Sequence, residues 1–343
     1  MATLTEKENL LRVINGEEPA WVPRFSMGPP VKWPGDTDTY PPAIAWAMFD
    51  VYPVTHLQNG GFIDMFGVEF TGTESMGGIA LPAPGKHILD DITKWRDVIK
   101  LPDLEGVDWE KACDRAVKDI DRNETAVTQG SHVGYFQHLM NFMGFENGLI
   151  AMAEEPDECY ALLEYLADFY DAVAKKVIYY LKPDVFSIAD DTATALNPFI
   201  SMGMYRELIK PFHKRLADIA NDAGVPISMH NCGRCEDAIP DWREIGVRLW
   251  NPAQVMNDLP GIKKKYGNSL ILCGCWDSSG PAGWSGAPEE LVRSDVRKCI
   301  DNYAPGGGFM FWGSVYGPSD GEVARRAGWI TDEYNRYGRT FYQ

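Results

Sequence analysis

Four cysteines fall in two close pairs, Cys232 with Cys235 and Cys273 with Cys275, and His230 stands two residues before the first of them. Thiolate and imidazole are donors that zinc prefers, and a catalytic zinc takes three protein ligands and leaves a fourth position for substrate. Each pair follows a short apolar run, so a strand should carry it. Alternation along a strand points His230 and Cys232 to one side, and Cys273 and Cys275 likewise. A lone buried cysteine is a small hydrophobe, but four gathered at two strand ends read as a metal site. Asp190 and Asp191 end another run. On a strand end they cannot both face one pocket, so one should cap a helix or pair with an arginine while the other binds substrate or moves a proton. His132 and Tyr135 follow a further run and are candidate pocket residues. Trp276, Trp284, Trp312 and Tyr316 gather near the last two runs, as lining for a flat organic substrate would.

These residues need elements that bring them to one place. Short β-branched or apolar runs alternate with Gly-, Asp-, Asn- or Ser-containing loops and amphipathic stretches, the pattern of a parallel α/β sheet or barrel. The runs are Trp21–Met27, Val51–Leu57, Thr125–Gly130, Val185–Ala189, Pro226–Met229, Arg248–Trp250, Leu270–Cys273 and Phe309–Gly313. Between them the clearest helix runs from Pro156 to Leu181, with Leu162, Leu163, Leu166, Phe169, Val173, Val177 and Ile178 at helical spacing. No Gly-rich fingerprint follows the first run, and Gly306–Gly308 precedes a strand, so a (β/α)₈ TIM-type barrel is favoured over a doubly wound sheet. Pro29–Pro42 and Gly72–Lys94 are rich in Pro, Gly and Thr without a clear period and read as long loops over the C-terminal face.

Composition bounds the rest. The chain has 343 residues, 45 % of them apolar, which is enough for a large core and too apolar for disorder. A single domain over residues 1–343 is expected. Thirty-two Lys and Arg against 49 Asp and Glu leave a net charge of −17, the wrong sign for holding nucleic acid or an anionic membrane surface. No apolar stretch suits a signal peptide or a membrane span. Seven cysteines, an odd number in a long chain, suit reduced thiols or metal ligands and a cytoplasmic location.

The order of several motifs resembles the uroporphyrinogen decarboxylase-like superfamily of (β/α)₈ barrels, within it the corrinoid-dependent methyltransferases. The carriers are Val22-Pro23, Met143-Gly144-Phe145-Glu146-Asn147, Asp190-Asp191, Ser201 to Pro211, His230-Asn231-Cys232-Gly233, and Gly274-Cys275-Trp276-Asp277 after Lys263 to Gly267. The decarboxylase itself presents an arginine-rich first strand end to a substrate with many carboxylates, whereas this chain reads Arg24-Phe25-Ser26-Met27-Gly28. Methylcobamide:thiol methyltransferases of the superfamily bind zinc through His-x-Cys and a later Cys. His230 and Cys232 match the pair, but Ser314 stands at the later position. A second spacing, similar to that of ether-cleaving O-demethylase methyltransferases, selects Glu207, Cys235 and Cys275. The resemblance therefore implies a zinc set of Glu207, Cys235 and Cys275 with His230 as fourth or substitute ligand and Cys232 in reserve.

The implied activity is methyl transfer from a small methylated donor, an aromatic methyl ether, to Co(I) of a corrinoid (cobalamin) carried by a partner protein that docks at the barrel mouth. Zinc would act as Lewis acid on the leaving oxygen. Asp190, Asp191 and Tyr316 are the expected catalytic or orienting groups, and His132, Tyr135, Asn231, Trp276, Asp277 and Trp312 the expected substrate contacts. A thiol-directed methyltransferase, a decarboxylase and a barrel that only binds a corrinoid or metal are the alternatives. They are separated by the supporting substrate, by porphyrinogen turnover and by a closed metal shell.

Overall fold

The computed structural model describes residues 4–26, 40–58, 60–73, 79–129, 134–318 and 321–343. The described residues include eleven strands, of which the last six alternate with helices: β1 (Ile44–Trp46), β2 (Thr55–His56), β3 (Phe62–Ile63), β4 (Glu69–Thr73), β5 (Ile79–Pro82), β6 (Ala126–Thr128), β7 (Phe186–Ala189), β8 (Ile227–His230), β9 (Val247–Ala253), β10 (Ile271–Cys275) and β11 (Phe309–Trp312). Strands β7 to β11 form a five-stranded parallel sheet in the order β11-β10-β9-β8-β7, and β1 pairs in parallel with β6. Isolated parallel bridges lie between these sheets, Thr128 to Val185 on one side and Arg24 to Phe311 with Phe25 to Ile44 on the other. They are single contacts and not ladders, so among the described residues no continuous ladder closes a barrel.

A buried cluster collects Phe25, Ile44, Ala126, Val185, Leu249, Ile271, Cys273 and Met310 from different parallel segments, with Leu10, Val13 and Ile14 added from the helix Glu6–Ile14. That helix is held at its start by Thr5 and Glu8, each side chain bonding the other's backbone N–H. The larger core lies between the sheet and the helices around it. Its longest contributor is the helix Pro156–Leu181, which buries Leu162, Leu163, Leu166, Tyr170 and Val177. Each leucine buried in this way contributes about 2 kcal/mol. A proline in its first turn starts this helix, and Lys182, in the left-handed conformation at φ 51°, ends it.

Two expectations need correction. The run Val51–Leu57 is not a parallel strand: its Thr55 and His56 are exposed and pair antiparallel with β3. The parallel partner of β6 is Ile44–Trp46, three residues behind two prolines, too short to show a period. Part of Gly72–Lys94 is also ordered, because β2 to β5 build a four-stranded antiparallel sheet in which Phe70 pairs with Pro82 and Thr73 with Ile79. Most of Pro29–Pro42 and all of residues 74–78 lie outside the described residues. Among the described residues no helix is long and apolar enough to cross a membrane.

Candidate functional site

Strand β8 ends at His230, and its alternation puts Ser228 and His230 on one face of the sheet. Asn251 of β9 ties them together: its amide nitrogen donates to Ser228 Oγ at 2.8 Å, and its carbonyl oxygen lies 2.6 Å from His230 Nδ1. That oxygen can only accept, so Nδ1 carries the proton and Nε2 presents a lone pair. The Nε2 atom is 3.8 Å from Cys232 Sγ. The Cys232 amide donates to Asp191 Oδ1 at 2.8 Å, and Gln137 Nε2 reaches the other Asp191 oxygen at 3.4 Å. One ligand atom from each of Asp191, His230 and Cys232 lies within 4.8 Å of the others.

The loops after β7 and β8 are clasped to one another. Asn231 accepts the Thr192 amide at 3.2 Å and donates to Thr192 Oγ1 at 2.9 Å, and Arg234 N–H donates to the Thr194 carbonyl at 2.7 Å. Gly233 turns the chain at φ 93°, and a Cβ there would stand 2.6 Å from the carbonyl oxygens of Ala193 and Thr194. Only glycine meets both demands.

The donor set suits a dication. Burial and the neighbouring Asp191 carboxylate push the Cys232 thiol well above its ordinary pKa, so without a cation the sulfur keeps its proton. A bound Zn²⁺ offsets both causes and favours the thiolate. Nitrogen and sulfur ligands of one tetrahedral zinc stand about 3.6 Å apart, close to the observed separation of His230 and Cys232. The backing of His230 by Asn251 is the outer hydrogen bond that zinc-binding histidines use to fix their tautomer.

A cavity of about 500 Å³ opens beside this cluster. Asp191 and His230 line it together with Trp46, Tyr52, Phe62, Asp64, Phe66, Phe70, Gln137, His138, Asn141 and Tyr170. Trp46 sets its edge against the His230 ring at 5.9 Å between centroids, and its indole nitrogen donates to Gln129. His138 Nε2 lies 2.9 Å from the Tyr170 hydroxyl, and its ring stacks on both Tyr170 and Phe142.

Asp190 has a different place. It is fully buried and turned away from the cavity, where its oxygens accept the amides of Phe136 and Gln137 and the His213 Nε2 at 3.0 Å. The helix Tyr135–Met143 begins at Gly134, which has no capping side chain, so Asp190 caps it from across the fold. Behind His213 stand the Tyr205 hydroxyl at 3.1 Å and the Trp242 indole N–H at 3.1 Å from that hydroxyl.

The other residues singled out from sequence are scattered. Cys235 is buried with its thiol directed at the Asn231 and Gly233 carbonyls, 3.5 and 3.6 Å away. Glu207 is exposed on the helix Met202–Leu208. Cys275 joins the outer core, and Cys273 the inner one, because positive φ values at Gly274 and Cys275 interrupt the strand's alternation. Glu207, Cys235 and Cys275 therefore form no cluster with His230 among the described residues. Asn231 spends its side chain on Thr192, and Tyr135 is buried behind the wall against the rings of Phe212 and His213. Trp276 packs in the core, and Asp277 Oδ1 accepts the Ser279 amide at 3.1 Å. Trp312 lines a separate cavity of about 230 Å³ with Arg24 and Ser314, while Tyr316 is exposed and accepts from Ser314 Oγ at 3.3 Å. His132 lies outside the described residues. Sequence reasoning missed Trp46, Asp64, Gln137, His138 and Tyr170, which come from elements far apart in the chain. Cys232, held in reserve from sequence, had its signal in the His-x-Cys spacing.

Comparison with known proteins bears on this arrangement. Residues 64–312 match the family described as Uroporphyrinogen decarboxylase (URO-D). The methylated-thiol–coenzyme M methyltransferase of Methanosarcina mazei is 26 % identical over 159 residues, which is 46 % of this chain and 40 % of that protein. The chain thus spans less than half the length of that curated relative. A solved structure of a methyltransferase from Methanosarcina mazei superposes with a TM-score of 0.60 at 15 % identity, covering 97 % of this chain and 100 % of that one, a likeness of fold. The family match starts at Asp64 in the cavity wall, takes in the clasped loops of Asp191 and Cys232 and ends with β11 at Trp312, so the chain belongs to the uroporphyrinogen decarboxylase (URO-D) family.

Proposed function

We propose that this chain is a zinc methyltransferase that moves a methyl group from a small methylated donor, an aromatic methyl ether, to Co(I) of a corrinoid on a separate protein. The observation that carries this reading is the cluster of Asp191, His230 and Cys232, two of which, Asp191 and His230, line an aromatic cavity. These three residues, in place of Glu207, Cys235 and Cys275, would hold the zinc. When bound, zinc supplies a Lewis acid that stabilises negative charge on the leaving atom of the donor. The chain's own residues do the positioning. Asn251 fixes the His230 tautomer, Gln137 and the Cys232 amide orient Asp191, and the rings of Trp46, Tyr52, Phe66 and Tyr170 hold a flat substrate and exclude water. The partner's corrin would approach the open side of the cavity so that attack on the methyl is in line.

We read the two parallel sheets and their bridges as one (β/α)₈ barrel in one domain. The likeness of fold supports that reading. All seven cysteines are free thiols, consistent with work in the cytoplasm. A second reading, with a methylated thiol as donor, draws on the His-x-Cys donor pair and on the relative named above. Decarboxylation of a porphyrinogen is disfavoured, because no Lys or Arg is among the described residues lining the cavity.

The test is elemental analysis of purified protein, joined to an assay of methyl transfer to Co(I) cobalamin from a methoxylated aromatic and from a methylated thiol. The expected result is zinc at one per chain, activity lost on chelation and activity restored by zinc. Metal-free protein that still transfers methyl groups would overturn the zinc assignment, and absence of transfer from either donor would overturn the reaction.

A further inference from the structure

The cavity holds a second carboxylate apart from the donor cluster. Asp64 lies just after β3, at the turn into β4, and its Oδ1 accepts the amides of Phe66 and Val68, each at 2.9 Å. The wall around it is aromatic: Phe62 and Phe70 stack at 4.7 Å, with Phe66, Tyr52 and Tyr170 beside them. The described lining has two carboxylates and no lysine or arginine. A carboxylate in such surroundings is costly without a counter-charge, and burial raises the Asp64 pKa against three backbone N–H groups. Aromatic faces and a carboxylate together favour an organic cation, through ring quadrupole and ion pair at once.

We infer that the donor is a methylated aromatic compound that carries a protonated amine, seated against Asp64 and the Phe62–Phe70 wall, and that donors with a carboxylate are excluded. This rests on the proposed function in taking the cavity as the substrate site. It goes further in giving the donor a positive charge, which a neutral ether lacks and a carboxylated ring reverses.

The experiment is calorimetric titration of the purified protein, without corrinoid, with three probes of matched shape: para-methoxyphenethylamine, the corresponding alcohol and para-methoxyphenylacetate. The amine should bind about tenfold more tightly than the alcohol, with the acetate weakest. Asp64→Asn keeps an oxygen for the Phe66 and Val68 amides and should drop the amine to the alcohol's affinity. The wild-type ranking decides the matter even if that variant misfolds. Equal affinities, a preference for the acetate, an amine advantage that survives Asp64→Asn in a folded variant, or binding of none of the three would overturn the inference. Binding is read without turnover, so a protein that ranks the probes as expected yet demethylates none refutes the reaction and leaves the cation site standing. One that binds and demethylates the acetate as readily as the amine refutes the cation site and leaves the reaction standing.

Discussion

His230 and Cys232 stand together because a single residue separates them, and Asp191 joins them because its loop is bonded to theirs. This makes a sharp prediction about single side chains. His230→Ala and Cys232→Ser should each abolish stoichiometric zinc, whereas Cys235→Ala and Cys275→Ala should leave it intact, as read by metal analysis after dialysis. Loss of zinc on either of the latter changes would return the ligand set to the pattern chosen by spacing alone. Asn251→Leu removes the outer bond to His230, together with the bond to Ser228 Oγ, and should weaken zinc by about 10- to 100-fold. Cys235 stands apart from His230 for a physical reason. The turn at Gly233 reverses the chain between Cys232 and Cys235, so the second thiol enters the core and its neighbours become the Asn231 and Gly233 carbonyls.

At the level of elements, much was legible and the failures have a common cause. Strands β6 to β11 fall on apolar runs that the sequence displays, and the helix Pro156–Leu181 begins and ends where its periodicity does. Ile44–Trp46 escaped because three residues carry no period, and β2 to β5 escaped because their faces alternate only weakly between exposed and half-buried. The cavity wall was least legible, since Trp46, Asp64 and His138 meet only after those elements pack. The cap that Asp190 gives to the helix Tyr135–Met143 is also a link between elements, and it can be tested. Asp190→Ala leaves two helix amides and the His213 ring without their acceptor. Unmade buried bonds cost about 1–3 kcal/mol each, so with partial relaxation the unfolding free energy should fall by about 3 kcal/mol in urea titration. Asp190→Asn, which keeps one carbonyl oxygen, should lose less. A loss under about 0.5 kcal/mol for Ala, the scale of an ordinary surface change, would mean that the helix start finds other partners.

For the whole molecule the governing quantity is the net charge of −17. Ion pairs such as Arg215 with Asp168 and Asp171, or Arg293 with Glu289 and Asp332, gather basic groups locally and leave other carboxylates unbalanced. The folded state therefore repels itself at low salt. The Debye length falls from about 30 Å at 0.01 M to about 8 Å at 0.15 M. The melting temperature should rise by a few degrees across that range, measured by calorimetry in sodium chloride, and a flat or falling curve would show that the excess charge is already neutralised in place. The same field gives any docking protein a condition to meet: it needs a basic or neutral face.

The clasp between Thr192 and Asn231 has a consequence for inheritance. Each residue both gives and receives a hydrogen bond from the other, and both are buried. Replacing Thr192 alone strands the Asn231 amide nitrogen, whereas replacing Asn231 strands both the Thr192 hydroxyl and its backbone N–H, which no side chain at 192 can remove. Descendants of this sequence should thus hold an acceptor at 231 whatever side chain stands at 192, and position 192 should drift first. The loops that carry Asp191 and Cys232 are bound in lineage as they are in space.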